Sequence, residues 1–526
     1  MTKKIINKFL LLGLVLFSAC SKQLDINDNP NAATAVQPEL ILPGAIVRSA
    51  SLTVSYNTYG ASLGGYIANA GGFSGFGALL NYNFTPGYLS SWGTAFDNLN
   101  DYRYVINETE GKNDLALFNA YARIMSVLEF HRVVDQHGDI PYSEAVLGAL
   151  NTSPKYDPAI DVYKSLIGDL DKALSIIDNA NLPRQLNASS DPMFAGNVTN
   201  WKKFANTLKL RLLIRISGVS SLSSFVNDGF ASINTSVGFI TEDVIVNPAY
   251  VKDRPNPTWA SWGYAVNGNV ANAARVPTYY IYGFYDGTKL ADPGRGAVIY
   301  NDFGNASRPT PLNQLGVESG NPAIRANYSP WYTGIRNTAT DITNALGVVK
   351  GPTQGQPIML LAEAHFLQAE AILLGKLTGT VKTSFENGVK ASFRYLYKDV
   401  TNVVAAGKNV ETDFATYKTN NSSSHLVNFD LATTDAQKLE AIITQKYIAV
   451  NMINGDEGWN DYRRTGFPVT VPRGGRYYDI ASTTSNATRP DRLPTILKYP
   501  QAEYDYNSKN VKDLNQFTDL LFWAKP

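Results

Sequence analysis

The stretch GDEGWNDYRRTGFP, residues 455–468, carries three acidic, two arginine and three aromatic side chains within fourteen positions. Its charges alternate in sign at Glu457, Asp461, Arg463 and Arg464. Such an arrangement is typical of a polar network in which each charge has a partner, with aromatic rings packed beneath it. A catalytic site and a structural joint are both compatible with these residue types, and the pattern favours the structural joint.

The helix that precedes this stretch has readable start and end signals. Thr434 and Gln437 have the spacing of a capping box, in which two side chains bind the first free backbone amides of a helix. Asn454 and Gly455 end the apolar periodicity after about Ile453. Residues 455–468 are therefore predicted to be the turn and return segment after this helix. The apolar stripe consists of Leu439, Ile442, Ile443, Tyr447 and Val450.

Other long segments show the same helical periodicity. A stripe through Leu117, Tyr121, Ile124 and Leu128 predicts a helix of roughly twenty residues, which ends at Gly138 to Pro141. Further helices are predicted at about 158–178, 201–216, 358–374 and 385–397. The last two form a helix-turn-helix of about tetratricopeptide size, and stacked pairs of this kind build a right-handed solenoid. The predicted fold class is therefore mainly α, a tetratricopeptide-like right-handed helical scaffold with a large loop-rich insertion.

The periodicity also suggests how the chain is divided. Residues 41–526 are predicted to form one domain, with the helical scaffold at about 41–216 and 357–470. Between about 217 and 356 the periodicity fades and Pro, Gly, Asn and aromatic residues take over. Residues 471–526 are predicted to be an irregular C-terminal segment. Binding surface usually lies in loop-rich insertions of this kind.

The N-terminus has the pattern of a bacterial lipoprotein signal. Three lysines up to Lys8 precede an apolar run over 9–17, and Ser18 and Ala19 precede Cys20, the only cysteine of the protein. The apolar run is too short to span a bilayer. Residues 1–19 are therefore predicted to be a signal peptide, Cys20 the lipidation site, and residues 20–40 a lipidated tether.

Composition excludes one class of partner and favours another. The 46 basic and 45 acidic residues nearly cancel, so the chain lacks the electrostatic footprint of a nucleic-acid-binding protein. Charged residues make up only 17%, whereas the chain has 30 tyrosines and 23 phenylalanines. Tyrosine offers both an apolar face and a hydroxyl. Such a surface suits neutral polar ligands, although ordinary packing of tyrosines in a large core explains the composition equally well.

Aromatic residues in glycine-rich loops are the candidate ligand contacts. Flat rings can stack on sugars while neighbouring amides bind hydroxyl groups. The alternative for each ring is that it packs into the helical core. The candidates are Phe73, Phe76, Tyr82, Trp259, Trp262, Tyr264, Asn267 and Trp331.

The sequence gives little support for catalysis or metal binding. His131 and His137 are six positions apart, which is not the helical spacing of a zinc pair, and no HExxH motif occurs. His131 is interpreted as a packed or capping residue. Neither a GxSxG motif nor a phosphate-binding loop is present. A glycoside hydrolase would need two positioned carboxylates, whose separation the sequence does not give. No cofactor, no metal and no enzymatic activity are predicted.

Five stretches, in order along the chain, resemble the SusD/RagB family of outer-membrane lipoproteins of Bacteroidetes. They are LDINDNPNAAT (24–34), VVDQHGDIPYSEA (133–145), YDGTKLADPGR (285–295), PIMLLAEAHFLQAEAILLGK (357–376) and QKYIAVNMINGDEGWNDYRRTGFP (445–468). The first is typical of a branch of the family distant from its starch-binding founder. One departure is that Ser21 to Leu24 carry no acidic residue, whereas family members often have acids directly after the cysteine.

This resemblance implies a function and a partner. The protein would be anchored through Cys20 to the outer membrane, facing the cell exterior. It would bind a nutrient, usually a glycan, and deliver it as a lid to a SusC-like TonB-dependent transporter. Alternatives are a gating or structural partner that binds no ligand and, less favoured, a helical glycoside hydrolase. The resemblance also implies a framework role for Trp459, Asp461, Tyr462, Arg463 and Arg464, and it leaves the identity of the ligand open.

Overall fold

Helices dominate the computed structural model, which confirms the predicted fold class. The structure describes residues 36–69, 77–89, 91–272, 274–301, 303–304, 346–475 and 477–526. The helices are α1 (Pro38–Leu63), α2 (Gly77–Asn81), α3 (Trp92–Thr109), α4 (Ala116–His137), α5 (Ala159–Asn179), α6 (Val198–Ile216), α7 (Ser223–Ala231), α8 (Pro257–Trp262), α9 (Tyr279–Tyr282), α10 (Pro293–Ile299), α11 (Leu361–Leu373), α12 (Val381–Tyr397), α13 (Val410–Asn420), α14 (Asp435–Ala449), α15 (Gly455–Thr465) and α16 (Gln501–Tyr506).

Short strands in the described part of the chain pair across long sequence separations. Strand β1 (Ile67–Asn69) pairs antiparallel with β3 (Arg275–Pro277). Strand β2 (Val244–Val246) pairs antiparallel with β4 (Gln356–Met359). The first pair ties the segment between α6 and α11 to the chain that follows α1, and the second pair joins two parts of that segment to each other.

Several helix starts agree with their sequence signals. The Thr434 side chain accepts a hydrogen bond from the Gln437 amide, and the Gln437 side chain binds back to the cap, so the predicted capping box is confirmed at the start of α14. Helix α6 begins three residues before the predicted Trp201, because the Asn197 side chain accepts a hydrogen bond from the Asn200 amide.

Helix α11 begins later than its periodicity predicts. Residues 356–359 pair with β2 instead of starting the helix. The carboxylate of Asp243 then accepts a hydrogen bond from the Leu361 amide at 3.0 Å. This cap comes from a residue 118 positions earlier in the chain, so no local sequence signal marks the start of α11.

The stretch predicted as a turn and return segment is instead a helix, α15, over its first eleven residues. Asp456 and Glu457 lie in its first turn, and Arg463 and Arg464 lie in its last. Both placements favour helix formation, because they oppose the partial charges at the two helix ends. Gly466, with a left-handed φ of 80°, ends the helix.

Two hydrophobic cores share helices α1 and α11. The first core lies mainly among α3, α4, α5 and α6, and the second mainly among α9, α10, α12, α14 and α15. Helix α1 contributes Leu42 and Ile46 to the first core and Leu63 to the second. Helix α11 contributes Leu367 to the first core and Phe366 to the second. These two helices therefore couple the cores to each other.

Within the described ranges, none of the helices combines the length and the apolar character needed to cross a bilayer.

Candidate functional site

The residues predicted to bind ligand have different surroundings. Phe73, Phe76 and Trp331 lie outside the described residues, as does the predicted lipidation site Cys20. Tyr82 is fully buried, and its hydroxyl accepts a hydrogen bond from the Ser482 amide at 3.0 Å. Burial raises the pKa of Tyr82 well above its ordinary value. Its ring has no open face for a ligand in this structure.

Trp259 and Trp262 lie on α8 and are 5% and 2% exposed. Asn256 holds this short helix in place. Its side-chain oxygen accepts a hydrogen bond from the Trp259 amide at 2.8 Å, and its side-chain nitrogen donates to the Gly351 carbonyl at 2.7 Å. Both indoles belong to the second core, which is the packing alternative for loop aromatics. Ligand contact by either ring stays a prediction.

The chain reverses directly after α8 in a small hairpin formed by residues 263–271. Tyr264 is half-buried at its base, with its ring centroid 6.0 Å from that of Trp259. Asn267 lies at the exposed tip, where its side-chain oxygen accepts a hydrogen bond from the Asn269 amide at 3.0 Å. The hairpin thus places an exposed amide and a half-buried tyrosine beside the buried indole of Trp259.

The five predicted framework residues lie on α15. Trp459, Asp461, Tyr462 and Arg463 are buried, and the Arg464 side chain is 10% exposed. Arg463 donates to the Thr495 carbonyl at 2.9 Å and to the Asp135 carbonyl at 2.7 Å. Its guanidinium also lies 3.5 Å from the centroid of the Trp459 ring. One side chain therefore joins α15 to the end of α4 and to the C-terminal segment.

Ion pairs join α15 to two further helices. Arg464 binds Glu370 of α11 through both guanidinium nitrogens, at 2.6 and 2.9 Å. Asp461 lies 2.9 Å from the ammonium of Lys446 on α14. Charge-assisted pairs of this kind are stronger than neutral hydrogen bonds, and a paired arginine also fixes the geometry of its partner.

Glu457 is the centre of this network. Its carboxylate accepts a hydrogen bond from Arg215 of α6 at 2.6 Å, and Arg211 lies 3.9 Å away. Arg211 in turn pairs with Glu363 of α11 at 2.7 Å. Burial by itself raises the pKa of Glu457, but the guanidinium groups of Arg215 and Arg211 and the ammonium of Lys446 outweigh it and hold the pKa well below its ordinary value. Glu457 is therefore ionised at neutral pH.

His131, Asp135 and Glu457 form the one group in the described residues with ligand atoms close enough for a metal ion, within 4.8 Å of one another. The group is buried, and Arg215 already pairs with both of its carboxylates, at 3.6 Å to Asp135 and 2.6 Å to Glu457. The Tyr163 hydroxyl donates a further hydrogen bond to Asp135. The guanidinium provides the positive charge that a metal would bring, so the residues fit an ion-paired joint better than a metal site.

The sequence did not reveal the partners of α15. Glu363 and Glu370 lie in the stretch 357–376, and Arg211 and Arg215 lie on α6, far from α15 in sequence. An available signal was that Glu363 and Glu370 fall within a strongly apolar stretch, where a charge needs a buried partner.

Comparisons with known proteins agree with the resemblance found in the sequence. The family model described as Susd and RagB outer membrane lipoprotein matches residues 39–520. A SusD-like protein of Bacteroides thetaiotaomicron is 26% identical, with a TM-score of 0.67, and the match covers 91% of this chain and 98% of that one. A SusD homolog of Bacteroides uniformis is 24% identical, with a TM-score of 0.67, and the match covers 92% and 99%.

A chitin-binding SusD homolog of Flavobacterium johnsoniae has a TM-score of 0.68 and 21% identity, over 92% of this chain and 98% of that one. No curated protein sequence matches the chain. The family match extends over nearly all of the helical scaffold and the C-terminal segment, and it includes α15 with its charge network. The chain therefore belongs to the SusD-like family of Susd and RagB outer-membrane lipoproteins.

Proposed function

We propose that the protein binds a nutrient glycan at the outer face of the outer membrane and passes it, as a lid, to a SusC-like TonB-dependent transporter. The observation that carries this proposal is the family match over residues 39–520. The chitin-binding homolog of the same fold supports a saccharide as ligand. SusD-like proteins are non-catalytic binding proteins, so the task of the site is to hold a ligand and release it unchanged. Cys20 is the proposed lipid attachment site.

The hairpin formed by residues 263–271 is the proposed contact surface. Its tip carries the exposed Asn267, whose amide can bind sugar hydroxyl groups, and its base carries the half-buried Tyr264. Trp259 contributes from below, because its ring lies beside that of Tyr264, and Trp262 lies in the same second core. An exposed polar tip over a fixed aromatic floor combines the apolar area and the few polar groups that saccharide sites use.

A double substitution in the hairpin tests this proposal. Tyr264→Ala with Asn267→Ala is expected to weaken binding of the best ligand about tenfold or more, because a loss of about 1.4 kcal/mol in contacts corresponds to one decade in Kd. The measurement is isothermal titration calorimetry of residues 21–526 against neutral oligosaccharides, including chito-oligosaccharides, and peptides. Tyr506→Ala is the matched control, since this tyrosine is 82% exposed on α16.

The gating alternative predicts a different outcome. If the protein only gates its transporter, no compound in the panel binds, and the hairpin variant associates with the transporter as the unchanged protein does. Substitution of Trp259 or Trp262 distinguishes ligand binding from gating less well, because removal of a buried indole also destabilises the fold. A neutral oligosaccharide that binds the hairpin variant and the unchanged protein equally well would refute the proposed contact surface.

A further inference from the structure

A cavity of about 740 Å³ lies on a different part of the scaffold from the hairpin. One wall is the segment 235–241, and the facing wall is formed by α11 and α12. The volume lies within the range of about 300–1,000 Å³ that is usual for small-molecule sites. We call this cavity the basic cleft, after the charges described below.

The segment 235–241 is held rigidly against α6 by two buried side chains. The Asn206 amide donates to the Asn234 and Gly238 carbonyls, each at 2.9 Å. The Thr207 hydroxyl accepts a hydrogen bond from the Ile240 amide at 3.0 Å. Because these bonds fix the backbone of one wall, and packed helices form the other, the cleft is a preformed space.

Positive charge dominates the lining of the basic cleft. Its cations are Lys203, Lys390 and Arg394, and its acidic lining residue is Glu411. Glu411 pairs with Lys390 at 2.6 Å. In the part of the chain that the structure describes, no carboxylate lies within ion-pairing distance of Arg394, and the ammonium of Lys203 contacts the Thr241 hydroxyl at 3.4 Å. Two cations therefore face the cleft without a neutralising acid.

His365 lies beside these cations. The residue is half-buried on α11, and burial together with the nearby guanidinium of Arg394 lowers the pKa of its imidazole. His365 is consequently neutral at neutral pH, because burial and then the guanidinium of Arg394 both disfavour its protonated form. An anion placed beside Arg394 would offset the charge of that guanidinium and favour the protonated imidazole.

The remaining lining suits a saccharide. Gln368 and Asn387 offer side-chain amides that can bind hydroxyl groups, and Phe239, Ile372 and Leu377 provide apolar surface. A neutral ligand would gain less from the unpaired cations than an anion would, because charge-assisted hydrogen bonds are the stronger ones. A nucleic acid would need a basic track longer than this one cleft, and the balanced charge of the chain gives no such track.

We propose that the basic cleft binds an acidic oligosaccharide through a carboxylate held by the Arg394 guanidinium, with Lys203 adding charge and Gln368 and Asn387 binding hydroxyl groups. The planar fork of an arginine matches a carboxylate with two parallel hydrogen bonds, which gives preference for carboxylates as well as affinity. This inference rests on the proposed nutrient-binding function and names one substrate class for it, the uronic-acid glycans.

The test compares matched ligands and matched variants by isothermal titration calorimetry on residues 21–526. The ligands are an oligogalacturonate, its methyl ester, a neutral galacto-oligosaccharide of the same length and a sulfated oligosaccharide. We expect the oligogalacturonate to bind, the methyl ester to bind at least about tenfold more weakly, and Arg394→Gln to lose at least about tenfold in affinity for the acid. Arg48→Gln is the control, because Arg48 is a partly exposed arginine on α1.

A pH series separates recognition of the ligand's charge from nonspecific binding. Affinity for the oligogalacturonate is expected to increase as the pH falls from 7.5 to 5.5, because protonation of His365 adds a cation beside the bound carboxylate while the ligand stays ionised. In His365→Gln this increase is expected to disappear. A preference for the sulfated ligand over the oligogalacturonate would overturn the assignment of a carboxylate.

The inference and the proposed function fail in distinguishable ways. Equal affinity of the acid for Arg394→Gln and for the unchanged protein would overturn the basic cleft, as would equal binding of the methyl ester or no binding of the acid at all. None of these outcomes affects binding of a neutral ligand at the hairpin. Conversely, the Tyr264→Ala, Asn267→Ala variant is expected to keep its affinity for the oligogalacturonate. Arg394 is exposed, so its substitution leaves the fold intact, which the thermal midpoint checks.

Discussion

Gly60→Ala is expected to destabilise the protein by about 3–5 kcal/mol, because α1 and α15 cross with their backbones in contact at this position. A Cβ atom at residue 60 would lie 1.9 Å from the backbone nitrogen of Asp456 and 2.3 Å from the carbonyl carbon of Gly455. Neither atom can move aside as a flexible side chain could. The helices would have to separate, and the separation would displace Asp456, Glu457 and the ion pairs that follow.

Gly44→Ala on the same helix is the matched control. No atom lies within 4 Å of a Cβ at this position. Alanine is the better helix former by up to about 1 kcal/mol, so this variant is expected to be slightly more stable than the unchanged protein. Urea unfolding followed by circular dichroism measures both. Equal stabilities for the two variants would show that the close crossing of α1 and α15 does not exist.

Sequence periodicity predicted the long helices well because their information is local. In α4, α5, α12 and α14 the residues of the apolar stripe lie within about twenty residues of one another. The capping box at Thr434 is an example, since both of its hydrogen bonds join residues three positions apart. The predicted fold class depended mainly on such local signals.

Features that depend on distant residues were predicted less well. The start of α11 is set by Asp243, which no local pattern connects to Leu361. Helix α15 has glycines at its first and fourth positions, and the first of them, Gly455, suggested a turn together with Asn454. The glycines are instead needed for close packing, because a Cβ at Gly458 would lie 2.0 Å from the Tyr66 hydroxyl. A glycine that allows close packing and a glycine that breaks a helix look alike in sequence.

In the candidate site, too, some features follow from local sequence and others depend on distant residues. The positions of Trp259 and Trp262 on a short capped helix follow from Pro257 and Asn256, which are local signals. Whether their rings face solvent or the second core depends on what packs against α8, and that cannot be read from the segment alone. The basic cleft escaped prediction for a related reason, because Lys203, His365 and Arg394 come from three helices with no shared motif.

Glu457→Gln is expected to lower the free energy of unfolding by about 3–5 kcal/mol at neutral pH, because it leaves Arg215 without its closest counter-charge inside the protein. The amide has nearly the same size as the carboxylate. The loss of stability therefore measures the effect of the charge and not of packing. The contact between Arg215 and Glu457 is 2.6 Å long, and both side chains are 2% exposed. The exposed pair of Lys382 and Asp430 offers a control, since Asp430→Asn is expected to leave the unfolding midpoint unchanged.

The pH dependence of the stability lost in Glu457→Gln identifies the cause of that loss. The pKa of Glu457 in the folded protein lies well below the ordinary value of about 4.5 that applies once the chain unfolds. A depressed carboxyl pKa contributes stability that is fully present above the unfolded pKa and is lost as the pH falls through the folded pKa. The difference in unfolding free energy between Glu457→Gln and the unchanged protein is therefore expected to shrink steadily below about pH 5. Urea unfolding from pH 7 to pH 3 measures this difference. A difference that stays constant over the whole range would mean that the substitution acts through packing, and that the charge of Glu457 does not hold α15 to α6.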